Sequence, residues 1–137
     1  MNQLEVEILL VEDNPDDLEL ALMALKKGSL ANRIQVARDG EEALDFLFCR
    51  DAHQERSFET PPRVVLLDLK LPKVDGLEVL RAVKSDPRTR SIPIVVMTSS
   101  KEQRDMVEGY QLGVNSYIQK PVDFDQFRDI ISKLGFY

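Results

Sequence analysis

Five short runs of β-branched and leucine-rich residues, each followed by a stretch of helical periodicity, constrain this chain more than any other feature. The runs are "EVEILLV" (5–11), "RIQVA" (33–37), "VVLL" (64–67), "IVVM" (94–97) and "SYI" (116–118). Strands alternating with helices are the pattern of a parallel sheet covered on both faces. The sequence therefore predicts an α/β fold with a doubly wound, five-stranded parallel sheet.

The helices carry their own punctuation. Asn14 can cap the first, with Pro15 at its first position and Asp16 and Asp17 in its first turn, where the macrodipole favours acids. Leu18, Ala21, Leu22 and Leu25 then share one face, and Gly28 stops it. Further helices are predicted over 40–48, 74–85, 101–112 and 123–134, the last with Phe124, Phe127, Ile131 and Leu134 as its apolar stripe. Residues 51–63, "DAHQERSFETPPR", read as a long polar surface loop.

With 137 residues, the chain has the size of one domain able to bury a core without staples. No run approaches the roughly 18 apolar residues that span a membrane, and "MNQLEVEILL" lacks the basic start of a signal peptide, so a cytoplasmic single domain over 1–137 is expected. Cys49 is the sole cysteine, which excludes an intrachain disulfide; its simplest reading is a small apolar residue near a helix end. A net charge of −6 without a Lys/Arg cluster argues against nucleic acid as a partner.

In an open parallel sheet, ligands bind beyond the carboxyl ends of the strands. There this chain places Glu12 and Asp13 after the first strand, Asp68 after the third, Thr98 after the fourth and Lys120 after the fifth. Two carboxylates about 4 Å apart repel by roughly 4 kcal/mol at an effective dielectric near 20, so crowded acids need a cation. Oxygen ligands of this kind suit Mg²⁺, and Mn²⁺ as well. Each piece also has a plainer reading: Asp16 and Asp17 as helix-start acids, Glu12 and Asp13 as a solvated loop pair, Ser99 and Ser100 as a helix cap, Lys120 as a surface charge.

Taken in order, "VEDN", "DLKLPKVDG", "TS" and "KP" give a pattern that resembles the receiver domain of two-component response regulators, and the likeness runs from about Glu5 to Leu134. The resemblance implies a CheY-like, flavodoxin-like (βα)5 fold with strand order 2-1-3-4-5. It implies Asp68 as the acceptor of a phosphoryl group from a histidine kinase, with Mg²⁺ held by Glu12, Asp13, Asp68 and the backbone carbonyl of Lys70. Thr98 and Lys120 would contact the phosphoryl group, Tyr117 would change rotamer as Thr98 moves, and the Lys120–Pro121 peptide would be cis. Such a protein catalyses its own phosphotransfer and slow autodephosphorylation without turning over an external substrate.

The 51–63 loop, "LDLKLPKVDG" and the closing "GFY" are together similar to the single-domain regulators paired with bacterial and cyanobacterial phytochrome kinases. That likeness implies a phytochrome-type kinase as partner and a homodimer through the 101–137 face, with Phe136 and Tyr137 as added anchors. Three other readings compete. A haloacid-dehalogenase-type phosphatase also uses a nucleophilic Asp but wants a second acid where Lys70 stands. A flavodoxin would find Glu12 and Asp13 repelling its flavin phosphate. A metal-independent interaction module of the same fold would have no use for Asp68 and Lys120.

Overall fold

In the computed structural model, residues 8–27, 33–99, 101, 105 and 112–134 are described. Five strands, β1 (Ile8–Val11), β2 (Ile34–Ala37), β3 (Val64–Asp68), β4 (Ile94–Thr98) and β5 (Ser116–Gln119), form one sheet in the order β2-β1-β3-β4-β5. Every neighbouring pair is parallel. The predicted sheet and its order are those observed.

β1, β3 and β4 are buried along their whole length, as strands with helices on both faces must be. Alternation divides their side chains between two cores. Leu10, Leu66, Met97 and Ile118 pack with α1 (Pro15–Lys26) and the last helix, α4 (Phe124–Lys133). Leu9, Val11, Leu67 and Val96 pack on the other face with α2 (Gly40–Leu47) and α3 (Gly76–Ser85). Each fully buried Leu, Ile or Val contributes roughly 1.5–3 kcal/mol, so the two layers supply most of the drive to fold.

Capping sets the helix starts. Asn14 Oδ1 accepts from the Asp16 and Asp17 amides at 2.9 and 3.0 Å, and Asp39, Asp75 and Asp123 cap α2, α3 and α4. α3 begins at Gly76 instead of 74 because the Asp75 side chain takes the Glu78 amide at 3.0 Å. Gly76 also lets the helix close on β3: a Cβ there would stand 2.4 Å from the Asp68 carbonyl oxygen. Likewise, a Cβ on Gly40 would stand 1.7 Å from the Val74 carbonyl oxygen, so the loop after β3 rests against the start of α2.

Residues 51–63 are more organised than a polar loop. Asp51–His53 form a short 3₁₀ turn, entered through left-handed backbone at Cys49 (φ 57°) and Asp51 (φ 50°). The Arg56 guanidinium lies 3.6 Å from the centre of the Phe46 ring and donates to the Phe46 carbonyl. Phe58 meets Phe48 edge-on at 6.3 Å, and Arg88 covers Phe58 at 4.3 Å. The segment is thus pinned by arginine–aromatic stacking. Gly28, the strand residues 5–7 and the closing 135–137 lie outside the described residues, and of the expected helix 101–112 only Lys101, Asp105 and Leu112 fall within them.

Candidate functional site

Strand parity carries the chemistry to one face. Glu12 continues the Leu10 row, Asp68 the Leu66 row and Lys120 the Ile118 row, so all three reach the α1 side of the sheet's carboxyl edge. Glu12 and Asp68 are buried and Asp13 is exposed, and one carboxylate oxygen from each lies within 4.8 Å of the others. Lys120 arrives from an edge strand, and its Nζ stands 2.7 Å from Glu12 Oε1, 3.0 Å from Asp68 Oδ2 and 3.1 Å from Asp17 Oδ2. Its peptide with Pro121 is cis.

Three carboxylates around one ammonium leave the group with two negative charges in excess. Glu12 is only 1% exposed, and its Oε1 faces the Lys120 ammonium at 2.7 Å. Its Oε2 accepts from the Asn14 amide at 3.2 Å. Burial first, and the Asp68 carboxylate second, push the Glu12 pKa up to about 7, against the pull of Lys120. For Lys120, burial opposes the charged form, but the Glu12 and Asp68 carboxylates outweigh it and raise its pKa above that of a free lysine.

The Lys70 amide donates to Asp68 Oδ1 at 3.2 Å, which puts this peptide beside the carboxylate while the residue itself is exposed. Thr98 is buried at the end of β4, and its carbonyl accepts from the Lys120 amide at 2.8 Å. By parity Thr98 belongs with Val96 and Tyr117, on the α2–α3 side, where Tyr117 is half-buried against the core. Glu12, Asp68 and Lys120 thus continue one row of side chains and Thr98 and Tyr117 the other, and both rows end at the sheet's carboxyl edge. Asp17 is the residue that sequence reasoning missed. It is a helix-start acid as expected, yet it also pairs with a lysine 103 positions away, which no local pattern signals.

An acid cluster around a half-buried lysine, at the carboxyl edge of a parallel five-stranded sheet of order 2-1-3-4-5, defines a CheY-like receiver. Residues 8–132 match the response regulator receiver domain family, and the chain belongs to it. Among solved structures it is similar to the bacteriophytochrome response regulator AtBRR, with 56% identity and a TM-score of 0.89, covering 97% of this chain and 95% of that one. It is 42% identical over 130 residues to the probable methanogenesis regulatory protein FilR2 of Methanothrix harundinacea, covering 95% of this chain and 81% of that protein. It is also 41% identical to the response regulator Rcp1 of Synechocystis, over 82% of this chain and 75% of that one. A Mn²⁺-bound structure of Rcp1 superimposes with a TM-score of 0.75 at 36% identity, over 94% of this chain and 91% of that one.

Proposed function

We propose that Asp68 accepts a phosphoryl group from a histidine kinase and that the new charge switches a protein-binding surface. The observation that carries this is the Lys120 ammonium 3.0 Å from Asp68 Oδ2, with two further carboxylates, Glu12 and Asp17, on the same ammonium. An Asp68 carboxylate oxygen attacks phosphorus in line; the new O–P bond replaces the N–P bond of phosphohistidine, and the electron pair leaves with the imidazole. Lys120 neutralises and orients the acceptor oxygens.

Glu12, Asp13 and Asp68 fit a hard divalent ion, since one carboxylate oxygen from each converges within 4.8 Å and the single nearby ammonium is shared among three acids. Mg²⁺, or Mn²⁺ in its place as in the Rcp1 structure, would be held there with the Lys70 carbonyl and would shield the incoming phosphoryl charge. The Thr98 hydroxyl then donates to a phosphoryl oxygen, and Tyr117, on the same face of the neighbouring strand, takes up the space vacated.

Similarity to a bacteriophytochrome response regulator supports a phytochrome-type kinase as the donor, with the exchange taking place in the cytoplasm. Among the described residues no helix is long and apolar enough to cross a membrane. The switched receiver would act by binding a partner. The sequence of 101–112 sets Met106, Val107 and Tyr110 among charges, which suits a homodimer face completed by 116–137. Sedimentation across a concentration series tests it, and a monomer at tens of micromolar with and without phosphorylation would remove the dimer.

Incubation with Mg²⁺ and a small phosphodonor tests the chemistry. The expected result is a mass gain of one phosphoryl group, released by hydroxylamine and absent in Asp68→Asn. Label persisting in that variant would overturn the assignment, and turnover of many donors would mark a phosphatase.

A further inference from the structure

Lys120 has three carboxylates, and only one of them lies outside the set that converges as an oxygen cage. Glu12 and Asp68 belong to that set; Asp17, at 3.1 Å from Nζ, does not. An ammonium and a divalent ion repel each other, so both cannot rest fully on Glu12 and Asp68. When the cage is filled, the ammonium needs a carboxylate outside the cage. Asp17 supplies one, and its position is fixed: Asn14 donates its amide to Glu12 Oε2 at 3.2 Å and accepts the Asp17 amide on its own Oδ1 at 3.0 Å. One capping residue therefore links a cage carboxylate to the residue whose carboxylate lies outside the cage.

We infer that Asp17 is a positioning residue for Lys120, retaining the ammonium on the α1 side so that the Glu12, Asp13 and Asp68 oxygens can take the divalent ion. This rests on the metal-dependent reading of the Asp68 site. Without Asp17 the ammonium sits wholly on Glu12 and Asp68 and competes with the ion. The plainer role, an acid favoured at a helix start, is shared by Asp16, which is exposed and makes no ion pair among the described residues. Asp16 is thus an internal control of equal charge in the same helical turn.

The test is calorimetric titration of Mg²⁺ into the unaltered protein, Asp17→Asn and Asp16→Asn. Asp17 is partly exposed, so its pairing is worth roughly a three- to tenfold change in an equilibrium constant. Asp17→Asn should raise the Mg²⁺ Kd by that factor, while Asp16→Asn changes it by less than about twofold and both melt alike in chelator. In a Lys120→Met background, Asp17→Asn should leave the Mg²⁺ Kd unchanged. Equal effects of Asp16→Asn and Asp17→Asn, or an undiminished Asp17 effect without the lysine, would overturn the inference. If Lys120→Met does not fold, the Asp16 comparison decides alone. An unaltered protein that takes no Mg²⁺ would overturn the metal site itself, and this role with it.

Discussion

Glu12→Gln should make the metal-free protein more stable, and increasingly so as pH rises. The native carboxyl holds its proton up to about pH 7, whereas its ordinary pKa is 4.5. Between those values the native state binds a proton that the unfolded state releases, so stability falls as pH rises through the interval. Below it the two states are equally protonated and the penalty vanishes; above pH 7 it is complete. At 1.36 kcal/mol per pKa unit the full penalty is about 3 kcal/mol, or about 10 °C in melting temperature for a domain of this size. Melting curves of both proteins in chelator, from pH 4.5 to 8, measure it as a difference in which distant groups cancel. Mg²⁺ at pH 7.5 should recover stability in the unaltered protein and much less in the variant, because a carboxamide is the poorer ligand. A difference that stays flat with pH, or that favours the native residue at high pH, would refute the reasoning. Lys120 would then outweigh burial and keep Glu12 ionised throughout.

Asp13→Ala should melt at the same or a higher temperature in chelator, since it removes one crowded charge, and should lose Mg²⁺ binding; a clear drop in melting temperature would give Asp13 a structural role. Lys120→Ala should destabilise the metal-free protein by about 3–5 kcal/mol, as breaking a buried pair does, with recovery in Mg²⁺ and with phosphorylation uncoupled from partner binding. Full phosphate-dependent binding in that variant would contradict its role. Gly40→Ala should cost at least about 2 kcal/mol in denaturant titration, because the new Cβ meets backbone. Gly76→Ala should in addition slow phosphorylation, since the backbone it displaces is that of Asp68 and Leu69.

The strands were legible because burial on both faces writes them as uninterrupted apolar runs, and Asp68, Thr98 and Lys120 because they stand where such runs end. What local pattern could not show depends on residues distant in sequence. Residues 51–63 read as a long polar surface loop because the partner of Phe58 is Arg88, thirty positions on. Asp17 read as a helix-start acid, which it is, while its second role depends on Lys120. The first residue of α3 was misplaced by two because Val74 continues the helical spacing but lies in the loop that packs on Gly40.

The lysine that compensates the acids sits near the end of the chain, while its carboxylate partners lie at 12, 17 and 68. A ribosome adding roughly 5–20 residues per second exposes those acids several seconds before the ammonium can reach them. Throughout that interval the nascent chain has its acids but no ammonium among them, and its edge strand β5 has yet to pair. The cluster of acids and ammonium is therefore complete only when the last strand docks, and until then the carboxylates stand uncompensated.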